Sequence, residues 1–261
     1  MAYTDIDDPS IYFQTKLFTG NGSSNAISGI GFQPDWIWFK NLTAAQSHAI
    51  VDSVRGRKAL QSNTNEAEYT LNSAKDFGTF DSDGFTVLTP EQLNSFNYNT
   101  GSIVAWNWKA NGSGSENTVG DLTVTALSVN QTAGISIGKI TDGFTSTSSN
   151  SETVGHGLGA IPQVIIVKNT EATGDWQVYH AGIGNTKKIR LNSTGAGADS
   201  TLFDNTTPTS SVWSVRGGDF ATGEDVVFYA FAEKQGYSKF GNYLGTAGNN
   251  GDAPFIYTGF K

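Results

Sequence analysis

Self-similarity constrains this chain more than any other feature. The run Gly31-Phe32-Gln33-Pro34-Asp35-Trp36-Ile37-Trp38-Phe39-Lys40-Asn41 recurs as Gly159-Ala160-Ile161-Pro162-Gln163-Val164-Ile165-Ile166-Val167-Lys168-Asn169. The shared frame is Gly-x-x-Pro, a bulky stretch, then Lys-Asn. Upstream of each lies an apolar, Gly-punctuated segment, residues 12–20 and 135–141. Downstream, Gln46-Ser47-His48 lines up with Val178-Tyr179-His180, and residues 104–109 line up with 228–233. A repeat of this length reads as one structural unit used twice. The pattern predicts a first β-sandwich over 1–112 and a second over 113–236. Residues 237–261 read as the start of a third repeat, or as strands completing a neighbouring sheet. Ala110-Asn111-Gly112-Ser113-Gly114-Ser115 has the composition of a flexible linker.

Within each unit the residues alternate as strands do. Trp36 and Trp38 share one face, and Ile37 and Phe39 the other. Residues 164–167 and 226–231 are apolar on both faces, which suits central strands of a sandwich or a domain interface. Asp83-Gly84, Asp142-Gly143 and Gly217-Gly218-Asp219 punctuate the strands as turns. Charged residues make up only 15% of the chain while aromatics reach 12%, so neither a helical bundle nor a disordered tract fits. The fold class expected is all-β, with tandem antiparallel β-sandwiches of jelly-roll or lectin-like type. One short helix is expected at Thr89-Pro90-Glu91-Gln92, where Thr serves as N-cap and Pro follows it.

The net charge of −8 and the absence of a basic cluster exclude nucleic acid as a partner. Arg55, Arg57 and Lys58, like Lys187, Lys188 and Arg190, read as solvated strand edges. There is no cysteine, so no thiolate zinc site. Neither a signal-peptide pattern nor an apolar run of membrane-spanning length is present, which predicts synthesis in a cytoplasm and no membrane insertion.

Catalytic constellations are not legible. His48 and His180 fall at matching places in the repeat, which points to shared packing. His156 stands in Gly155-His156-Gly157-Leu158-Gly159 and reads as a turn residue, because no Gly-x-Ser-x-Gly elbow accompanies it. Asp81-Ser82-Asp83-Gly84 begins like a calcium loop but runs straight into a strand, so it reads as a hairpin. Asp5, Asp7 and Asp8 read as a solvated acidic cluster. No enzyme activity, cofactor or metal is expected. Trp36, Trp38, Trp106, Trp108 and Trp213 read as buried strand residues. Trp176 follows a loop-like stretch and precedes Tyr179. These two are the candidate ligand-binding residues, an exposed recognition pair for a sugar ring.

The opening Ala2-Tyr3-Thr4-Asp5-Ile6-Asp7-Asp8-Pro9, the segments 12–22 and 33–41, His48 with Asp52-Ser53-Val54-Arg55-Gly56, and Val104-Ala105-Trp106-Asn107-Trp108-Lys109-Ala110 resemble a known family. So do Val154-Gly155-His156-Gly157-Leu158-Gly159, Trp176-Gln177-Val178-Tyr179-His180 and Gly236-Tyr237-Ser238-Lys239-Phe240-Gly241. The family is one of tandem β-sandwich, concanavalin A-like, tail-fibre-like structural proteins of marine tailed phages. The resemblance implies a virion structural protein made in the host cytoplasm, serving host-surface attachment or particle decoration. Its partners would be other virion proteins, a host-surface glycan and further copies of itself. A non-catalytic carbohydrate-binding module is the alternative. A polysaccharide depolymerase is a third reading, and would need a carboxylate pair across a cleft.

Overall fold

A computed structural model describes residues 4–143, 150–216, 220, 223–245 and 255–258. The turn expected at Gly217-Gly218-Asp219 lies outside the described residues. The chain is all-β and antiparallel. Its first half holds β1 (Phe13–Thr19), β2 (Asn25–Ile27), β3 (Trp36–Asn41), β4 (Ala49–Asp52), β5 (Lys58–Gln61), β6 (Tyr69–Thr70), β7 (Phe77–Asp81), β8 (Gly84–Val87) and β9 (Ser102–Trp108). Its second half holds β10 (Ser115–Asn117), β11 (Val124–Asn130), β12 (Ile135–Ile140), β13 (Ser151–Gly155), β14 (Val164–Asn169), β15 (Gln177–His180), β16 (Lys187–Arg190), β17 (Ala198–Asp199), β18 (Val212–Arg216) and β19 (Val226–Phe231).

The repeat reappears as topology. One large sheet runs β1-β9-β3-β4-β5-β6, and the other contains β12-β19-β14-β15-β16-β17 in the same roles. Each is backed by a smaller sheet, β2-β8-β7 in the first half and β13-β18 in the second. The second large sheet carries two further strands, β10 and β11, on the edge that β1 leaves bare in the first.

Three apolar cores separate four layers. Ile37 and Phe39 point into the first, with Phe77, Phe85 and Phe96. Ile165 and Val167 point into another, with Trp213 and Phe228. The opposite faces of the two large sheets meet in the third, where Trp36, Ile50 and Leu60 pack on Ile137, Val164, Trp176 and Tyr229. The Trp36 ring stacks on Tyr229, with centroids 4.8 Å apart. The runs that are apolar on both faces are therefore strands with a core on each side.

Beneath this third core lies a sealed ionic knot. Arg55 donates from Nε to Asp52 Oδ2 at 2.7 Å and from one terminal nitrogen to Glu68 at 3.2 Å. Tyr229, from the other sandwich, donates to Asp52 at 2.7 Å and accepts from Arg55 at 3.1 Å. Arg55 is thus not a solvated edge: its side chain is 1% exposed. Arg57, expected beside it on the same edge, reaches inward to the Gly78 carbonyl at 2.7 Å.

Other expectations change for physical reasons. Residues 110–115 are fixed by hydrogen bonds, with the Asp35 carboxylate accepting from Ala110 N–H at 2.7 Å and Gly112 N–H at 3.1 Å. No helix forms at Thr89. Buried Asp76 accepts from the N–H groups of Glu91 and Leu93, at 2.9 and 3.1 Å, and holds the segment as a turn. Lys40 faces Val104 and Lys168 faces Val227, so Trp106 corresponds to Tyr229 and Trp108 to Phe231. The sequence match of 104–109 with 228–233 is one residue out of step, which in a strand reverses every face. His48 and His180 are not equivalent either. His180 pairs with Val164 as Asp52 pairs with Trp36, so His180 takes the place of Asp52.

The acidic N-terminal residues are engaged. Asp8 caps a short 3-10 turn, and Thr4 donates to Asp7 at 2.6 Å. Asp5 N–H donates to the Gln235 carbonyl at 3.1 Å, and Gln235 N–H returns a bond to the Asp5 carboxylate at 3.3 Å. This stitch joins the start of the first sandwich to the end of the second. After Ser238 no described residue lies in a strand. Tyr237 and Phe240 pack on the third core, while Tyr243, Leu244, Phe255 and Tyr257 are exposed.

Candidate binding clefts

Trp176 and Tyr179 do not form an exposed pair. Trp176 is fully buried in the third core, its indole N–H donating to the Gln61 carbonyl at 3.0 Å. The loop before it folds onto the first sandwich, where Gly174 N–H reaches the Asn65 carbonyl at 2.7 Å. Its turn-like composition marks a clasp between sandwiches. Tyr179 is 2% exposed and points into the second sandwich, its ring 5.5 Å from Phe203. The two side chains occupy different cores. Burial pushes the Tyr179 phenol up from its ordinary pKa.

Accessible aromatic rings gather elsewhere, at the open side of the third core. Phe13, Trp38, Trp108, Phe231, Tyr237 and Phe240, all half-buried, line a cleft of about 350 Å³. The Phe13 ring lies 4.9 Å from Trp108, and Trp108 lies 4.4 Å from Trp36. Trp38 is oriented by a bond from its Nε1 to His48 Nδ1 at 3.0 Å. Burial, helped by nearby Lys40, lowers the His48 pKa and favours the neutral ring that this bond requires. Trp36 also lines the cleft, and its buried indole N–H meets no acceptor among the described residues. Flat rings with a spare donor suit an occupant with an apolar face and an oxygen at its edge.

A second cleft, of about 440 Å³, opens on the second sandwich. Its walls are Asn111 and β10, the loop carrying Gly157 and Gly159, and the turn at Ser210 and Ser211. Leu127 and Val129 of β11 also line it. His156 holds two of these walls together. It is fully buried, with Nε2 3.1 Å from the Thr209 carbonyl and Nδ1 accepting from Leu158 N–H at 3.2 Å. Those partners fix the neutral ring with its proton on Nε2, and burial lowers its pKa in the same sense. His156, expected as a turn residue, is instead a buried positioning residue.

Residues 8–261 match a domain of unknown function, DUF7483. The chain belongs to the DUF7483 family. No curated protein matches it, and no solved structure does. In this DUF7483 chain Arg55 and Tyr229, whose proton affinities are both raised, are buried together against the third core. Among the described residues no group of three or more His, Asp or Glu side chains could hold a metal ion, and no helix is long and apolar enough to cross a membrane. The aromatic cleft offers rings, and the second cleft offers amides, hydroxyls and the Glu116 carboxylate. Sequence reasoning missed the aromatic cleft because it placed all the strand tryptophans inside cores. Part of the signal was present: Trp36 and Trp38 share the face opposite Ile37 and Phe39.

Proposed function

We propose that this protein is a structural component of a phage particle, a tail-fibre-like or adhesion module that meets a glycan on the host surface. The observation that carries this reading is the welding of two copies of one sandwich through a shared aromatic core into a single four-layer body. Such a body suits rigid presentation of shallow binding surfaces. Weak sites repeated over many particle-borne copies add through multivalency. The exposed apolar side chains Tyr243, Leu244, Phe255 and Tyr257 give further copies or other virion proteins a surface to cover. A chain without cysteine is suited to folding in the reducing host cytoplasm.

The test is a peptide-mass inventory of purified particles, with immunogold labelling to locate the chain. Gold on the particles is the expected result. The chain abundant in lysate but absent from particles would overturn the reading. The aromatic cleft favours a second reading, a free carbohydrate-binding module. That reading expects tryptophan fluorescence to respond to glycans and Trp108→Ala to abolish the response.

A further inference from the structure

The two sandwiches build the same loop and fill it differently. In the first, Gly29 and Gly31 have left-handed φ of +77° and +88° and flank Ile30, which is 2% exposed. Their N–H groups converge on one carboxylate: Gly29 donates to Asp83 Oδ2 at 3.0 Å, and Gly31 to Asp83 Oδ1 at 2.6 Å. The two N–H groups hold the Asp83 pKa below the ordinary carboxylate value. In the second sandwich, Gly157 and Gly159 have φ of +68° and +66° and flank Leu158, also 2% exposed. Strand register identifies the residue that stands where Asp83 does. Ile27 pairs with Phe85, two residues beyond Asp83, and Gly155 pairs with Val212, two residues beyond Ser210. Ser210 carries no carboxylate, and among the described residues the N–H groups of Gly157 and Gly159 meet no acceptor. In the first sandwich the same pair of N–H groups, one on each side of Ile30, holds a carboxylate.

This loop opens into the 440 Å³ cleft, a volume within the range of roughly 300–1,000 Å³ usual for small-molecule sites. One wall of the cleft comes from β10 and β11, the strands the first sandwich lacks. Leu127 and Val129 offer an apolar surface, and Asn111, Ser115 and Ser210 offer an amide and hydroxyls. Gly157 lets the loop lie against that surface, since a Cβ there would stand 3.0 Å from Val129 and 3.1 Å from Leu127.

We propose that this cleft binds an acidic sugar, a uronate whose carboxylate occupies the place that the Asp83 side chain fills in the first sandwich. The proposal rests on the glycan-attachment reading and names the ligand class. The ring's C–H face lies on Leu127 and Val129, and its hydroxyls meet Asn111, Ser115 and Ser210. Exposed Glu116, on the β10 wall, opposes the ligand's charge through solvent and limits affinity at low salt.

Calorimetric titration of the full chain with D-glucuronate, D-glucose and acetate tests this. Glucuronate should bind about tenfold or more tightly than either of the others, a gap of about 1.4 kcal/mol or more. Ser210→Asp, which copies the first sandwich, should abolish glucuronate binding while the circular dichroism spectrum is retained. Glu116→Gln should strengthen binding about twofold at low salt. Glucose binding as tightly as glucuronate, undiminished binding by a folded Ser210→Asp, or no glucuronate binding would each overturn the proposal. Acetate binding as tightly as glucuronate would also overturn it, in favour of a protein carboxylate as the partner. These outcomes are separable from the particle reading. A chain present in particles but indifferent to glucuronate loses only this site. A chain that binds glucuronate but is missing from particles loses only the particle role.

Discussion

The two sandwiches agree in strand order and differ in chemistry at corresponding positions. Lys40 and Lys168 occupy the same place in β3 and β14. Lys40 is half-buried and reaches the Gln46 carbonyl, whereas Lys168 is fully buried between the sandwiches and donates to the Asn169 carbonyl at 2.7 Å. Asn41 and Asn169, next in line, have kept one task. Each side-chain oxygen accepts from the N–H groups two and three residues on, all at 2.9 Å. The asparagine that sets backbone geometry is the same in both copies, while the lysine beside it meets different surroundings.

The largest expected effect probes whether the third core makes the two copies one folding unit. Arg55→Leu leaves Asp52 buried without its cation and should cost about 3–5 kcal/mol in urea unfolding. Two separated transitions already in the wild type would break the idea of a single unit. Trp176→Ala empties the same core from the other side and removes the bond to Gln61, at a cost of about 3–5 kcal/mol. The variant's two halves should then melt apart, as two resolved steps in calorimetry.

The next effect is confined to the second sandwich. A Cβ at Gly138 would stand 2.2 Å from the Phe228 ring, so Gly138→Ala should cost about 1–3 kcal/mol by overpacking. By register Gly138 corresponds to half-buried Lys16, where Lys16→Ala should change stability little. Equal costs at both positions would mean the two cores are packed more alike than the structure has them.

Lys168 sharpens the comparison through pH. Its pKa is lowered to about 8, chiefly by burial, against 10.5 ordinarily. The unfolded chain keeps this proton to higher pH than the folded one, so the lysine's penalty is present below pH 8 and fades as pH rises towards 10.5. Lys168→Met should raise Tm at pH 7 by about 2 °C, and the advantage should shrink by pH 10. The smallest effect belongs to Asp83→Asn. Its carboxylate pKa is depressed, so its contribution is present above the ordinary value of 3.8 and lost as pH falls through the lower, folded value. The variant should lose a little stability at pH 7 and converge with the wild type in acid.

Much of the fold was legible in local pattern. The Gly-x-x-Pro and Lys-Asn frames bracket β3 and β14 correctly, and the alternation of Trp36 and Trp38 with Ile37 and Phe39 separates two real faces. What was hidden depends on distant partners. Arg55 looked like a solvated charge because Tyr229 lies 174 positions along the chain. Thr89 looked like a helix cap because nothing nearby shows that Asp76 takes the same N–H groups. Trp176 looked exposed because a loop that clasps a neighbouring sheet has the composition of one that does not. The pairing of Asp83 with Ser210 becomes visible only once strand register aligns the two hairpins.

The stitch between Asp5 and Gln235 has a mechanical consequence. Thr4 and Gly236 stand side by side, close enough that a Cβ on Gly236 would lie 2.7 Å from the threonine. Tension applied at these two residues therefore falls first on one backbone bond and one bond to the Asp5 carboxylate, while the sheets behind them stay unloaded. Opening that clasp is a local event, and the four layers share the force only after it has given way.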